Sequence, residues 1–295
     1  MDRADLRVFE AVARHGGMSR AAAELNTVQS NVTARIRLLE EELGVALFER
    51  HSRGVALTAA GRRLLPYAER ARDLFQEARR AVQDDGTPHG PLVVGTLETT
   101  AALRLAPRLA AFVAAWPEVD LALRTGTTRE LLEDVLERRL EGALVCGPVG
   151  HPELIEEVVF SEELAVLTAP GAPDLDRLIA ERAPRLVVLR AGCSYRQRLE
   201  DLLARRGVAP ARLLEFGTLE AIFGCVAAGL GITLLPRGLI GPVWQDGRVA
   251  VHPLPPAEAL VETVFVRRRD AFVSSALGAF LCHIRPTGVA AEAAD

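Results

Sequence analysis

Hydrophobic residues at the start of the chain recur at steps of three and four, which is the period of an amphipathic helix. They predict a first helix that ends at Gly16, a short second helix capped by Ser19, and a third helix capped by Thr27 and closed by Gly44. The apolar stripe of the third helix runs along Val28, Val32, Ile36, Leu39 and Leu43. The tight turn between the last two helices predicts a helix-turn-helix.

The polar face of the third helix carries side chains that suit the major groove of DNA. Near its N-terminal end lie Gln29, Ser30, Asn31, Thr33 and Arg35. Glutamine and asparagine pair with adenine edges, arginine pairs with guanine, and a threonine methyl contacts thymine. Every amphipathic helix has a polar face, so a merely solvated helix is the alternative for these residues taken alone.

A β-hairpin is predicted after the third helix. Residues 47–48 and 55–57 are its strands, and the tip between them, 50–54, is basic. A basic tip beside a reading helix forms a wing that reaches phosphates or the minor groove. The hairpin therefore favours a winged helix-turn-helix domain, which we expect over residues 1–60.

One long helix is predicted from a cap at Thr58 to about Val82. Pro66 lies inside it and should bend it. Small and apolar residues fall on the alternating steps of a two-helix coiled coil, at Gly61, Leu64, Ala68, Ala71, Phe75, Ala78 and Val82. We expect a linker and dimerisation helix with its hinge over 58–87, and packing of this helix on its own domain is the alternative.

From Pro91 onward, strand patterns alternate with helical patterns, which is typical of βαβ units. A second series of this kind begins after Leu167 and predicts two α/β lobes joined by crossing strands. We expect an effector-binding domain over 90–290, with lobe I at about 90–165 and 266–290 and lobe II at about 166–265.

Polar loops that follow the predicted strands form the candidate ligand site, because such folds bind ligands beyond the carboxyl ends of their strands. Five loops qualify, at 98–100, 125–128, 146–148, 192–194 and 217–218. Their hydroxyl and N–H groups suit an anionic or polar metabolite. A helix cap is an equally good interpretation of each threonine, and only convergence of the loops favours a ligand.

The stretch SRAAAELNTVQSNVTARIRLLEEELGVALFERHSRGVALTAAG resembles the DNA-binding module of the LysR-type transcriptional regulators. The resemblance implies that Arg53 lies on the wing and that the major groove is faced by Gln29, Ser30, Asn31, Thr33 and Arg35. Many members carry arginine directly after the Ser/Thr at position 33, where this chain has Ala34. Arg35 is therefore the expected basic reader.

Segments such as GTLETTAALRLAP and EFGTLEAIFGCVAAGLGITLLPR resemble the periplasmic-binding-protein-like effector domain of the same family, closest to a branch labelled as glutamate-metabolism regulators. The resemblance implies a ligand cleft lined by Thr99, Thr100, Thr128 and Cys146, to which the loop argument adds Cys193 and Thr218. It also implies a homodimer or homotetramer, with the tetramer preferred. The effector stays open, because related domains bind unrelated compounds.

The net charge of −4 is at first sight wrong for a DNA-binding protein. Residues 1–87 hold 14 Arg and 13 acidic residues, whereas residues 88–295 hold 21 Arg and 26 acidic residues. Phosphate affinity depends on local charge, so the acidic C-terminal part does not exclude DNA binding.

The N-terminus MDRADLRVFEAVARHGG has no apolar secretory segment, and no stretch reaches the roughly 18 apolar residues that a membrane span needs. The four cysteines form no CxxC pair. We therefore expect a cytoplasmic protein without a disulfide framework, metal site, cofactor or membrane partner.

Cys193 is predicted at a helix N-terminus between Arg190 and Arg196, and these three features would lower the pKa of a thiol. A redox sensor and a catalytic nucleophile are the functional interpretations, and a small packed residue is the structural one. No histidine motif accompanies Cys193, which counts against catalysis.

These patterns predict a homo-oligomeric, ligand-responsive transcription regulator and not an enzyme. Its expected partners are double-stranded operator or promoter DNA and an unidentified small molecule, with RNA polymerase as a further candidate. A solute-binding protein is the first alternative, and the N-terminal DNA module counts against it. An enzyme on the same lobes is the second, and the sequence shows no catalytic cluster for it.

Overall fold

The computed structural model describes residues 1–51, 54–181, 184–208, 212–241, 244 and 247–285, except for the side chains of Arg50, Ala180 and Glu181. The chain divides into two compact units, Met1–Gln83 and Asp84–Asp295.

The first unit is a winged helix-turn-helix, as the sequence predicts. Its elements are α1 (Arg3–His15), α2 (Met18–Glu24), α3 (Gln29–Leu43), β1 (Phe48–His51), β2 (Gly54–Leu57) and α4 (Ala59–Gln83). The core is built by Phe9 and Val12 of α1, Ile36 and Leu39 of α3, and Leu47 before the hairpin, all of which are buried. Burial of such side chains contributes about 1.5–3 kcal/mol each, so these helices are stabilised by their shared core rather than by local propensity.

Two of the predicted caps are wrong, and two positions of the predicted apolar stripe, Val28 and Leu43, are exposed, Leu43 by 37%. Gly17 precedes α2, and Ser19 lies inside that helix, where its hydroxyl donates to Gln29 Oε1 at 2.8 Å. Val28 precedes α3 and is 59% exposed. The turn explains the shift: Thr27 N donates to Ala22 O at 2.9 Å, so α3 begins one residue later than the pattern predicts.

The hairpin is antiparallel and is tied to α3 by a carboxylate. Glu40 Oε1 accepts hydrogen bonds from the backbone N–H groups of Leu47 at 2.6 Å and Phe48 at 3.1 Å. Phe48 pairs with Leu57 at the base of the hairpin. The hairpin's tip at residues 52–53 lies outside the described residues.

The long helix α4 is buried against its own unit in its first half, and in its second half Phe75 still contacts the Arg3 guanidinium of α1 at 4.9 Å. Thr58 caps it, because its Oγ1 accepts from Gly61 N at 3.0 Å. Gly61 and Ala68 are buried, and a Cβ at Gly61 would lie 2.3 Å from Leu47 O. In the second half Phe75 is 47% exposed and Val82 is 88% exposed. Part of the predicted seam therefore belongs to the core of the unit, and the rest forms an exposed apolar face that can pack against another protein surface.

The second unit is a two-lobed α/β structure. Its described strands are β3 (Gly90–Thr96), β4 (Val119–Thr125), β5 (Gly142–Cys146), β6 (Leu154–Thr168), β7 (Leu186–Leu189), β8 (Leu213–Phe216), β9 (Thr233–Pro236), β10 (Ala250–Pro253) and β11 (Leu260–Arg268). Its described helices are α5 (Glu98–Thr100), α6 (Ala106–Ala115), α7 (Thr128–Leu136), α8 (Leu175–Glu181), α9 (Ser194–Arg205), α10 (Leu219–Ala227), α11 (Pro256–Ala259) and α12 (Ser275–Ile284), with a π turn at Ala101–Leu105 and a 3₁₀ turn at Arg237–Leu239.

Crossing strands join the lobes, as predicted. Within the described residues, seven strands form one sheet in the order β10-β6-β11-β5-β3-β4, with β9 also paired to β6. In lobe I, β3 runs parallel to β4 and β5, and in lobe II β7 runs parallel to β8. The strand β11 is antiparallel to both β5 and β6, so the sheet is mixed. The register of β11 shifts between Thr263 and Val264, at the passage from one lobe to the other.

Candidate DNA-reading face and effector cavity

The surface of α3 that faces away from the core is a shallow concave patch. We call it the α3 face; it comprises Gln29, Ser30, Thr33, Ala34, Arg37, Leu38 and Glu41. Three of the predicted DNA-reading residues, Gln29, Ser30 and Thr33, thus share one surface. Asn31 is also exposed, and its Nδ2 donates to Thr27 Oγ1 at 3.2 Å, so it lies at the edge of this patch.

Arg35 lies on the flank of α3, against α1. Its Nε donates to Asp5 Oδ1 at 2.7 Å, and its Nη2 donates to Asp2 Oδ2 at 3.1 Å. The same two carboxylates form the capping box of α1. The structure therefore gives Arg35 a bond between two helices where the sequence predicts a contact with DNA.

Arg37 is the basic side chain on the α3 face, where its Nε donates to Glu41 Oε1 at 2.7 Å. Sequence reasoning missed it, because the helical pattern does not show which flank of α3 meets α1. Arg53, the predicted wing residue, lies outside the described residues.

A cavity of about 380 Å³ lies between the lobes of the second unit. Its lining is mostly hydroxyl-bearing and small, and consists of Leu97, Glu98, Thr99, Thr125, Gly126, Thr127, Thr128, Cys146, Leu189, Arg190, Cys193, Ser194, Tyr195, Gly217 and Thr218. All five loops singled out from the sequence contribute to it. Such a volume suits a small metabolite.

Five of the six predicted effector-binding residues line this cavity, and Thr100 does not. Thr100 is 4% exposed, and it lies at the end of the short helix that starts at Glu98, outside the cavity lining. Arg190 and Tyr195 were not among the predicted ligand contacts, although both flank the Cys193 loop in sequence.

Hydrogen bonds cross the cavity from one lobe to the other. Ser194 Oγ in lobe II donates to Thr128 Oγ1 in lobe I at 2.9 Å. Leu219 N, at the start of α10, donates to Glu98 Oε1 at 3.2 Å. The lobes are thus held together by a few polar contacts at the cavity wall, which a ligand in the cavity can replace.

Two of the lining threonines are helix caps. Thr127 Oγ1 accepts from Glu130 N at 3.3 Å, and the Glu130 carboxylate accepts in return from Thr127 N at 2.8 Å, which completes a capping box. This backbone hydrogen bond lowers the pKa of Glu130 below its ordinary value. Thr218 Oγ1 accepts from Ala221 N at 3.3 Å and caps α10. Each of these hydroxyl oxygens thus accepts one backbone N–H, and the Thr127 hydroxyl also donates to Glu130 Oε2 at 3.0 Å.

Thr99 has a different environment. It is 2% exposed, and within the described part of the chain its buried Oγ1 makes no hydrogen bond of good geometry, although the Tyr195 phenol lies close enough to interact with it. Tyr195 lines the same cavity, and burial raises the pKa of its phenol. A buried hydroxyl without a partner costs about 1–3 kcal/mol, so a ligand group that bonds to Thr99 recovers that cost.

The two cysteines of the cavity are not activated thiols. Burial raises the pKa of Cys193, whereas the sequence predicts a lowered value. The prediction is wrong because desolvation of the thiol outweighs the backbone N–H groups of Arg196 and Tyr195 and the charge of Arg196, all of which lower the pKa. Burial raises the pKa of Cys146 as well. Neither thiol is set up as a nucleophile.

A winged helix-turn-helix carried on the same chain as a two-lobed α/β unit with an interlobe cavity defines a class of protein, the DNA-binding transcription regulators that respond to a small molecule. Residues 4–62 match the model of the bacterial regulatory helix-turn-helix proteins of the lysR family, and residues 85–288 match the LysR substrate binding domain. The chain belongs to the LysR family of transcriptional regulators, whose members bind DNA and small-molecule effectors and form multimers.

Relatives support this assignment along the whole chain. The HTH-type transcriptional regulator GltR of Bacillus subtilis is 44% identical over 280 residues, which cover 95% of each chain. The uncharacterized HTH-type transcriptional regulator YusT of the same species is 45% identical over 290 residues, covering 98% of this chain and 97% of YusT.

Solved structures show the same fold. A full-length OxyR variant from Pseudomonas aeruginosa superposes with a TM-score of 0.69 at 22% identity, covering 96% of this chain and 94% of OxyR. CbnR in complex with its target DNA superposes with a TM-score of 0.68 at 24% identity, covering 96% of this chain and 99% of CbnR.

Proposed function

We propose that the α3 face reads operator DNA through Gln29, Ser30, Thr33 and Arg37, with Asn31 at its edge and Arg53 on the wing. Their exposure on one surface of the second helix of a helix-turn-helix supports this assignment. Arg35 has a supporting role in the proposal: it holds α3 against α1 through Asp2 and Asp5.

The interlobe cavity is the proposed effector site, with Thr99, Thr128, Cys146, Cys193 and Thr218 in its lining. The observation that carries the proposal is the meeting of loops from both lobes around one cavity, where the buried Thr99 hydroxyl makes no hydrogen bond of good geometry among the described residues. A ligand there contacts both lobes at once, so it favours the arrangement in which they are closed.

Regulation then follows from thermodynamic linkage between ligand binding in the cavity and DNA binding. A ligand that binds one arrangement of the lobes more tightly shifts the population toward it, and a regulator transmits that shift to its DNA contacts. A ligand that binds both arrangements equally shifts nothing.

The proposal extends to the domain bounds, the oligomeric state and the location of the chain. We place the DNA-binding domain at 1–60, the linker helix and hinge at 58–87 and the effector domain at 90–290, with a homodimer or homotetramer formed partly through the exposed face of α4. None of the described helices has the length and apolarity of a membrane span. The proposed location is the cytoplasm, where the operator is, and the chain acts without catalysis: both cavity thiols are unactivated and no described lining residue is histidine.

Footprinting of purified protein on the DNA upstream of its own gene and its neighbours, at near-physiological salt, tests the reading surface. We expect two protected patches on one side of the duplex, lost in Arg37→Ala and retained in Arg7→Ala, which removes the same charge from an exposed position of α1. Protection that survives Arg37→Ala together with Gln29→Ala would overturn the assignment of the α3 face.

A further inference from the structure

Two side chains in the lining of the interlobe cavity carry opposite charges. Among the described residues that line it, Glu98 is the acidic one and Arg190 is the basic one. Glu98 follows β3 of lobe I, and Arg190 follows β7 of lobe II. The remaining lining residues are uncharged, so the cavity is neutral overall and carries one charge of each sign.

The carboxylate of Glu98 can accept further hydrogen bonds from a ligand. Its Oε1 accepts one hydrogen bond, from Leu219 N at 3.2 Å, and the side chain is half-buried at the cavity wall. A carboxylate can accept about four hydrogen bonds. The free oxygen of Glu98 thus presents a negative charge to whatever occupies the cavity, and in a partly desolvated site that charge repels an anion and attracts a cation.

Arg190 is held loosely. Its Nε lies 3.7 Å from Glu130 Oε2, which is longer than a hydrogen bond, and its side chain is 53% exposed. That Glu130 oxygen already accepts from Thr127 N and Thr127 Oγ1 at 2.8 and 3.0 Å. The planar guanidinium is therefore available to a ligand carboxylate, which it binds with two parallel N–H groups.

We propose that the effector is a small zwitterion of the α-amino-acid type, whose ammonium group pairs with Glu98 and whose carboxylate binds Arg190 and the neighbouring hydroxyls. This inference rests on the proposed function of the cavity as the effector site. A purely anionic ligand is repelled by the Glu98 carboxylate, and a purely cationic ligand is repelled by the Arg190 guanidinium, so the two charges together select against both. The volume of about 380 Å³ accommodates a molecule of this size.

The test uses calorimetric titration of the purified full-length protein with the standard α-amino acids. Each amino acid is compared with its 2-hydroxy acid, which lacks the ammonium group, and with the primary amine that lacks the carboxylate. We expect at least one amino acid to bind, and its hydroxy acid and amine to bind about 10- to 100-fold more weakly, the range that one charged hydrogen bond contributes.

Glu98→Gln isolates the ammonium contact, because the amide oxygen still accepts from Leu219 N while the charge is removed. We expect this variant to bind the amino acid about tenfold more weakly and to lose most of its preference over the hydroxy acid. The matched control is Glu220→Gln, an exposed acidic residue in the first turn of α10 that does not line the cavity, and it should bind as the wild type does.

Three results would overturn the inference: a hydroxy acid that binds the wild type as tightly as its amino acid, an unchanged preference in Glu98→Gln, or no binding of any amino acid up to about 10 mM. The variant Gly217→Phe, designed to fill the cavity, distinguishes failure of the zwitterion proposal from failure of the proposal that the cavity is the effector site. Hydroxy-acid binding that Gly217→Phe abolishes refutes the zwitterion and leaves the cavity as the effector site. Binding that persists in Gly217→Phe refutes the proposal that the cavity is the effector site.

Discussion

Ser194 Oγ donates a hydrogen bond of 2.9 Å to Thr128 Oγ1, and this bond joins the two lobes at the wall of the cavity. Thr128 is the first residue of α7 in lobe I, and Ser194 is the first residue of α9 in lobe II. The start of each helix is thus fixed to the other lobe by a side chain that a ligand can reach.

The bond predicts coupling between the two residues. Thr128→Val and Ser194→Ala should each lower the free energy of unfolding of the second unit by about 1 kcal/mol, and the double variant should lose less than the sum, with a coupling of about 0.5–1 kcal/mol. Urea unfolding followed by tryptophan fluorescence measures this, because both tryptophans, Trp116 and Trp244, lie in that unit. Strict additivity would mean that the bond contributes nothing.

Gly192 makes a close backbone approach between the lobes at this wall. Its φ is +97°, and a Cβ there would lie 2.9 Å from Thr127 Oγ1. Gly192→Ala should therefore destabilise the second unit by more than the roughly 1–2 kcal/mol of backbone strain alone. Gly207→Ala is the control, since Gly207 has φ +75° and nothing within 4 Å of its Cβ position. Equal losses of stability in the two variants would show that the lobes do not approach so closely.

The capping box of α7 predicts an acid-sensitive contribution to stability. The pKa of Glu130 is lowered from an ordinary value of 4.5 by its hydrogen bond from Thr127 N. A lowered folded pKa stabilises the fold fully above the ordinary value, and the stabilisation is lost as the pH falls through the folded value. Glu130→Gln should therefore be less stable than wild type at pH 7, and the gap should shrink at acid pH. In Glu133→Gln, an exposed change on the same helix, no such convergence is expected.

Arg35 and Arg37 should separate stability from DNA binding. Arg35→Ala removes the partner of Asp2 and Asp5, so scanning calorimetry should show the first unit destabilised by about 0.5–1 kcal/mol. Arg37→Ala should leave that transition in place and weaken operator binding about tenfold or more in a gel-shift titration. A reversed pattern, with operator binding lost in Arg35→Ala alone, would restore the assignment that the sequence suggests.

Much of the fold and of the cavity can be predicted from the sequence, because both depend on local patterns. The periods of the apolar positions predict α1, α3 and α4 and the alternating elements of the second unit. The rule that ligands bind beyond strand ends predicts the loops that meet at the cavity, including Thr99, Thr128 and Thr218.

Other features depend on tertiary contacts that no local pattern contains. The pairing of Arg35 with Asp2 and Asp5 is one of them, because it depends on the packing of α1 against α3. Cys193 looks activated by its neighbours in sequence, but desolvation of its thiol in the fold outweighs their effect and raises its pKa.

The most direct test of the account is whether occupation of the cavity changes the DNA contacts. Gly217 lines the cavity and nothing lies within 4 Å of a Cβ at this position, so we expect Gly217→Phe to be accommodated and to reduce the space left for a ligand. Gly224→Phe, on the exposed side of α10, is its control. The measurement is an operator footprint of each protein with and without the low-molecular-mass fraction of an extract of the source cells. We predict that the footprints of the wild type and Gly224→Phe change with the extract while that of Gly217→Phe stays fixed. A footprint of Gly217→Phe that changes as the wild type's does would contradict the account.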